Sequence, residues 1–192
     1  MLRTVLSAAL VAAGLTAPAF ASTQTYTLDA SHSQVVFSYN HLGYSTTYGM
    51  FSGFEGEIAF DAESPENSTV SVSMPVRSML TGWEARFDHF MSDDFFGAAE
   101  DDMITFVSTG IELTGEDTAL ITGALTMNGI TSEVVLDAKL NQMGQHPMME
   151  QPWAGFDATA TVLRSDFGLD MYAPFVSDEV EVMISIEAMK AQ

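Results

Sequence analysis

The four histidines are the first side chains in this sequence whose chemistry suggests a site. They lie at positions 32, 41, 89 and 146. Zinc sites place two or more such ligands at short, regular spacings, as in HExxH or HxH, and the sequence contains no such spacing. Cysteine is absent, which removes thiolate ligands and thiol nucleophiles. We therefore predict no metal site and no cofactor.

One methionine-rich segment offers an alternative. Met143, His146, Met148 and Met149 combine thioether and imidazole groups, which Cu(I) accepts as ligands. The same residues also suit the apolar tip of a loop, because methionine adapts to irregular hydrophobic surfaces. Residues 144–155 interrupt the alternation of the flanking sequence and predict such a loop. Copper binding stays open as the second interpretation.

Motifs for covalent or phosphate chemistry are absent from the sequence. It has no GxSxG elbow and no glycine-rich phosphate loop. The acidic pairs at 93–94 and 101–102 lie in polar stretches, which is typical of solvated loops. The sequence therefore predicts a binding protein and not an enzyme.

Charge restricts the partners of the chain. The sequence has 26 acidic and six basic residues, a formal net charge of -20. Such a surface repels nucleic acid phosphates and anionic lipid headgroups, so nucleic acid is excluded as a partner.

Alternation of apolar and polar residues predicts the elements that position these side chains. In residues 70–76 the even positions are Val, Val, Met and Val, and serines stand at 71 and 73. Each such run predicts a strand with one buried and one solvated face. Asn128-Gly129 predicts a tight hairpin, and glycines at 53 and 56 predict a bulge within 51–60. Further alternating runs lie at 33–41, 119–127, 134–140, 156–162 and 180–188, giving about eight strands.

One segment predicts a helix inside this all-β pattern. Thr81-Gly82-Trp83-Glu84 reads as a capping box and predicts a short helix over residues 81–92. Trp83, Phe87, Phe90 and Met91 then share one helical face. A second short turn would carry the aromatic residues at 95 and 96. An aromatic helix of this kind needs an apolar place to sit, such as the mouth of a barrel.

The first 21 residues predict a cleavable signal peptide. Arg3 precedes an apolar run from 5 to 17 that is short for a bilayer span, and Ala19-Phe20-Ala21 resembles a cleavage site. Residues 22–192 would then form one domain in the periplasm. We expect no stable membrane insertion after cleavage.

Eight antiparallel strands can close into a barrel that is either packed solid or hollow, and a sandwich is the solid alternative. The inward positions mix aromatic residues with small or flexible ones such as Gly123, Ala158, Ala160, Met74 and Met127. Periodicity alone leaves the two interiors open. A structural or stress-related secreted barrel with a filled core is therefore an alternative to a ligand-binding one.

Six short motifs, in order from about Tyr26 to Ala188, resemble the YceI-like family. The motifs are Phe37-x-Tyr39-x-His41, Gly49-x-Phe51-x-x-Phe54-x-Gly56-x-Ile58-x-Phe60-Asp61, Arg86-x-x-His89-Phe90-x-Ser92-x-Asp94-Phe95-Phe96, Ile104-Thr105-Phe106-x-Ser108, Gly123-x-Leu125-Thr126-x-Asn128-Gly129 and Arg164-Ser165-Asp166-Phe167-Gly168. The resemblance implies a lipocalin-like antiparallel barrel in the periplasm, with one or two short helices inserted mid-chain, that binds a polyisoprenoid or quinone-type lipid. A homodimer stays open.

On this resemblance, ten residues are candidates for the ligand site. Three would contact a polar headgroup: His41, Arg86 and His89. Seven would contact the apolar tail: Phe37, Tyr39, Phe51, Phe54, Trp83, Phe90 and Phe96.

Overall fold

A computed structural model describes residues 23–192, in which one antiparallel sheet closes into a barrel. The ten strands are β1 (Gln24–Leu28), β2 (Gln34–His41), β3 (Ser45–Phe51), β4 (Glu55–Phe60), β5 (Thr69–Pro75), β6 (Met103–Leu113), β7 (Thr118–Met127), β8 (Ile130–Gln145), β9 (Pro152–Leu163) and β10 (Glu179–Lys190). One helix, α1 (Glu84–Met91), lies between β5 and β6. The all-β barrel with a mid-chain helix is confirmed. The signal peptide predicted at 1–21 lies outside the described residues.

These ten strands occupy eight positions around the barrel, because two positions are each filled by two short strands. Both β1 and β2 pair with β10, while β4 and β3 continue the sheet beside them. The sheet then runs in chain order from β4 through β10. Pairing of Tyr26 with Lys190 and of Thr27 with Met189 closes the ring. The eight-stranded barrel predicted from the sequence is therefore confirmed.

The bulge predicted within 51–60 is a complete break between β3 and β4. Gly53 lies in the break with a φ of +70°, a conformation that glycine adopts without strain. The backbone at Gly56 packs closely against β5. A Cβ at this position would collide with the Ser71 carbonyl oxygen and come within 2.9 Å of Val72 Cα. The two glycines let the chain change direction while its aromatic side chains stay inside the barrel.

Replacing Gly56 with alanine should lower the free energy of unfolding by about 2 kcal/mol, because both atoms in the way belong to the backbone. Urea denaturation followed by circular dichroism measures this loss. Gly155→Ala in β9 is the matched control, since a Cβ there meets no atom within 4 Å. Equal stability of the two variants would contradict the close approach of β4 to β5.

The helix begins later than the sequence predicts. Its N-cap is Trp83 and its first residue is Glu84, with no side chain capping it. The Thr81 hydroxyl instead donates to the Trp83 carbonyl oxygen at 2.8 Å. The same hydroxyl accepts from the Trp83 amide at 3.4 Å. The predicted capping box is therefore wrong, because the helix begins two residues later than a Thr81 N-cap requires and this hydroxyl bonds only to Trp83. None of the helices in residues 23–192 has the length and hydrophobicity of a transmembrane helix.

The hairpin between β8 and β9 is longer than predicted. Gln145 still pairs with Pro152, so the predicted loop over 144–155 shrinks to residues 146–151. The backbone ladder continues here without alternating side chains, because main-chain hydrogen bonds do not require an apolar face.

Candidate functional site

The barrel encloses a cavity of about 1000 Å³. Its wall is lined by inward side chains that are only half-buried, because they pack against the buried residues of the wall on one side and face the cavity on the other. Among the described residues, Phe167 is the only large side chain less than 2 % exposed. The interior is therefore hollow, and the filled core that periodicity left open is not formed. The inward side chains of β5 and β10 are Val70, Val72, Met74, Val180, Val182, Ile184 and Ile186.

The cavity reaches both ends of the barrel. At one end, here the helix-side mouth, it is lined by Trp83, His89 and Tyr172. At the other, the hairpin-side mouth beside the β6–β7 turn, it is lined by Asp117 and Lys139, whose carboxylate and ammonium groups are 3.9 Å apart. The wall between the mouths consists largely of aliphatic and aromatic side chains. The arrangement is an apolar channel with polar groups at its two ends.

A row of three alanines widens this channel. Ala119 on β7 pairs with Ala138 on β8, and Ala138 pairs with Ala158 on β9. All three face the cavity. Because a methyl group projects little from a strand, three neighbouring strands together leave space that larger side chains would fill.

Two glycines keep aromatic rings against the wall. The Phe37 ring lies over Gly49 on the neighbouring strand, and the Phe106 ring lies over Gly123. A Cβ at either glycine would collide with the Cζ atom of that ring. The rings therefore add apolar surface to the wall without blocking the channel.

All ten residues predicted to bind the ligand line the cavity: Phe37, Tyr39, His41, Phe51, Phe54, Trp83, Arg86, His89, Phe90 and Phe96. Their depths differ. Phe37, Phe51 and Phe54 are buried in the wall, while Trp83 is 65 % exposed at the helix-side mouth. Trp83 is the N-cap that precedes α1, so the prediction that it shares a helical face with Phe87, Phe90 and Met91 was wrong. Contact of these ten residues with a ligand stays a prediction.

Edge-to-face aromatic contacts anchor α1 over the helix-side mouth. The Phe90 ring lies 6.3 Å from that of Tyr39 on β2 and 5.3 Å from that of Phe95, both close to perpendicular. The His89 ring lies 5.0 Å from Phe95 in the same geometry. Each such pair typically contributes about 1 kcal/mol beyond its buried area. The turn predicted after the helix is present and supplies Phe95.

The three predicted headgroup residues lie at the helix-side mouth. One N–H group of Arg86 donates to the Thr81 carbonyl oxygen at 2.9 Å. His89 Nε2 is 3.3 Å from an Asp94 carboxylate oxygen, and both side chains are largely exposed, so the pair adds little stability. His41 is exposed at the end of β2. This mouth therefore offers several hydrogen-bond donors beside the apolar channel.

Arg164 organises the connection between β9 and β10, a role that was not predicted although the residue opens one of the six motifs. Its buried guanidinium donates to the carbonyl oxygens of Ser177 at 2.8 Å, Val176 at 2.8 Å and Met171 at 2.9 Å, and also to that of Leu169. Burial lowers the pKa of this arginine, while nearby Asp178 and Asp170 act in the opposite direction. Arg164 thus holds in place the loop that forms one side of the helix-side mouth.

Outside the barrel, a polar turn that contains His32 joins β1 to β2. One Asp29 carboxylate oxygen accepts from the Ser31 amide and hydroxyl, and the other is 2.6 Å from His32 Nδ1. Within the described part of the chain, Asp29, His32 and Glu187 are the one group whose potential metal ligand atoms lie within 4.8 Å of one another. Glu187 accepts from the Trp153 indole at 2.8 Å. These hydrogen bonds explain why the three side chains of the cluster lie close together.

We expect the imidazole pKa of His32 to lie above its ordinary value of 6.5, because its hydrogen bond to Asp29 favours the charged form. The stability from this pair is then fully present below pH 6.5 and is lost as the pH rises through the raised pKa. NMR titration of the His32 ring measures the midpoint. Asp29→Asn should bring it back down, and an unchanged midpoint in that variant would contradict the assignment.

The four residues of the copper hypothesis are divided between two environments. Met143 on β8 packs against the hydrophobic core, whereas Met148 and Met149 are exposed at the hairpin tip. His146 Nδ1 accepts hydrogen bonds from the Met148 and Met149 amides at 3.2 and 3.0 Å, which leaves Nε2 for any ligand. Copper binding stays a prediction that this geometry does not favour.

Comparison with known proteins agrees with this architecture. A family model described as a YceI-like domain matches residues 26–188. A UPF0312 protein from Ectopseudomonas mendocina is 40 % identical over 171 residues, covering 86 % of this chain and 87 % of the relative. The crystal structure of the Campylobacter jejuni YCEI protein superposes with a TM-score of 0.71 at 28 % identity, covering 80 % of this chain and 90 % of that one.

A third protein shares the fold at lower identity. It is a polyisoprenoid binding domain from Saccharophagus degradans, implicated in plant cell wall breakdown. Its TM-score is 0.66 at 14 % identity, covering 88 % of this chain and 99 % of that domain.

Proposed function

Because the chain belongs to the YceI-like family, we propose that it holds an isoprenoid-type lipid inside its barrel and carries, stores or sequesters it in the periplasm. The proposal depends on one observation, the continuous apolar cavity of about 1000 Å³. The ligand class named for the Saccharophagus degradans domain supports this choice. In this proposal the signal peptide at 1–21 exports the domain at 22–192, which binds lipid without a chemical step or a cofactor.

The size of the cavity suits a long hydrocarbon chain. A water molecule occupies roughly 30 Å³ in the liquid and a methylene group is of similar size, so the cavity has space for on the order of 30 carbons. Burial of each methylene is worth about 0.8 kcal/mol, so a chain of roughly 20 carbons offers on the order of 10 kcal/mol after a heavy discount for ordering. Apolar contact alone is therefore sufficient for tight binding.

The channel also suggests how the lipid would be oriented. We place the apolar tail against the aromatic wall formed by Phe37, Tyr39, Phe51, Phe54, Trp83, Phe90 and Phe96. The polar headgroup then lies at the helix-side mouth, because His41, Arg86 and His89 present donors there. At the hairpin-side mouth the cation of Lys139 already faces the Asp117 carboxylate.

Removing two of these donors should weaken binding only for lipids that carry a headgroup. In Arg86→Ala/His89→Ala we expect the affinity for a quinone bearing an isoprenoid tail to fall roughly tenfold, the typical cost of one or two charge-assisted hydrogen bonds. Affinity for squalene, which has no headgroup, should stay unchanged. Fluorescence competition measures both. Lys139→Ala is the control at the other mouth, and a greater loss in that variant would reverse the orientation.

Extraction of the purified chain tests the function itself. The protein is isolated without detergent from an exporting bacterial host, extracted with organic solvent and examined by mass spectrometry. We expect an isoprenoid-type lipid in near-stoichiometric amount. A chain that contains no such lipid, and that fails to take up a quinone or polyprenol added in excess, is not a carrier of this class. Cell fractionation of the same host checks the compartment.

A further inference from the structure

Large apolar side chains are exposed around the helix-side mouth. Tyr44 is 90 % exposed, Phe175 74 % and Trp83 65 %. Leu42 and Tyr172 are about half exposed beside them. We call these five residues the apolar rim. Scattered exposed apolar side chains are ordinary, whereas a contiguous group of them marks a candidate site of interaction.

The rim is contiguous because its segments touch each other. The Leu42 amide donates to the Phe175 carbonyl oxygen at 3.0 Å, which joins the β2–β3 turn to the β9–β10 connection. The ring of Tyr172 lies 6.3 Å from that of His89 on α1. Trp83 and Tyr172 also line the helix-side mouth. The rim therefore borders the helix-side mouth of the cavity.

Four of the five rim residues lie in segments free of Asp, Glu, Lys and Arg in a strongly acidic protein, whereas the fifth, Trp83, is followed by Glu84. Residues 30–54 contain no Asp, Glu, Lys or Arg, and neither do residues 171–177. The whole chain carries a net charge of -20. A surface that approaches these two segments closely therefore desolvates few ions, which avoids the high cost of burying unpaired carboxylates.

We propose that the apolar rim docks on the surface of a zwitterionic phospholipid bilayer, so that lipid passes between the bilayer and the cavity without crossing water. Tyrosine and tryptophan are the side chains that favour the membrane–water interface, because each has an apolar ring and a polar group. The five side chains of the rim carry no charge, and the surface of a zwitterionic bilayer has no net charge. The choice of a bilayer rests on the proposed function, since a second copy seated here would close the path of the lipid.

Vesicle binding tests the proposal. The purified chain is sedimented with phosphatidylcholine vesicles, and Tyr44→Ser/Phe175→Ser should bind roughly tenfold more weakly, because two aromatic side chains no longer enter the interface. The matched control is Met148→Ser/Met149→Ser, which removes two exposed apolar side chains at the β8–β9 hairpin tip and should bind normally. In a Trp153→Phe background, brominated phospholipid should quench the fluorescence of Trp83.

The possible outcomes separate docking from cargo binding. Docking is overturned if the wild-type chain does not associate with these vesicles, if both double variants lose binding equally, or if the rim residues instead hold a dimer that persists when vesicles are added. The lipid content of each variant is measured in parallel by solvent extraction. If the chain contains lipid but does not bind vesicles, docking is refuted and the proposed function stands. Vesicle binding by a chain that takes up no lipid refutes the function and leaves docking intact.

Discussion

Phenylalanine at positions 119 and 158 should prevent the barrel from taking up its lipid. In Ala119→Phe/Ala158→Phe two rings replace methyl groups on either side of Ala138, in the row that widens the channel. Excluding only three methylenes of the ligand forfeits about 2 kcal/mol, which is more than tenfold in affinity. We expect lipid uptake to fall by at least roughly this factor.

The same variant should remain folded, because the new rings enter empty space. Its unfolding free energy without ligand is expected to equal or exceed that of the wild type, and urea denaturation measures it. Thr159→Phe is the control, since this residue follows Ala158 on β9 and is exposed on the outer face. It should bind lipid normally. Full occupancy in the double variant would show that the lipid does not lie at this level of the barrel.

Loss of the Arg164 guanidinium should be the most destabilising single substitution that we predict. Arg164→Met keeps the length of the side chain but leaves four carbonyl oxygens of the β9–β10 connection without their donor. Each unsatisfied buried group costs on the order of 1–3 kcal/mol. Allowing for relaxation, we expect a loss of about 4 kcal/mol, or a fall in Tm of roughly 10 °C.

Differential scanning calorimetry of three variants tests this role. Arg164→Lys should recover less than half of the stability, because an ammonium group has three donors and lacks the planar fork of a guanidinium. Arg77→Met is the matched control. Arg77 is half-buried near the surface and its ion-pair partner Glu100 is fully solvated, so we expect a loss of about 1 kcal/mol or less. Equal melting temperatures for Arg164→Met and Arg77→Met would refute the organising role.

Much of the wall was predictable, because alternation identifies the inward face of a strand. It does not reveal how far apart the facing walls lie. Whether inward side chains meet depends on strand tilt and on side-chain size summed over all eight positions. Nor does alternation reveal that β1 and β2 share one neighbour, β10. The Thr81 error is of another kind, because the residue pattern of a capping box did not show that the helix begins two residues later, at Glu84.

Strand register limits the prediction of the candidate site in a similar way. Asn128 and Gly129 both have positive φ, as a two-residue hairpin requires, and this turn alone sets Ala119 opposite Ala138. That half of the alanine row was therefore open to prediction. Its continuation to Ala158 was not, because an irregularity between Leu140 and Gln142 shifts the register of β8 against β9. For Arg164, no local pattern predicts which carbonyl oxygens a loop turns inward.

The half-buried side chains inside the barrel have a consequence for the life of the protein. The inward side chains of an empty cavity lack part of their packing contacts. A ligand that fills the cavity therefore contributes to the stability of the domain. By mass action, a ligand that binds only the folded protein raises the free energy of unfolding once the ligand concentration exceeds its dissociation constant. The lipid-bound and lipid-free forms should therefore differ in melting temperature and in resistance to proteases. The supply of the lipid then also determines the lifetime of each molecule.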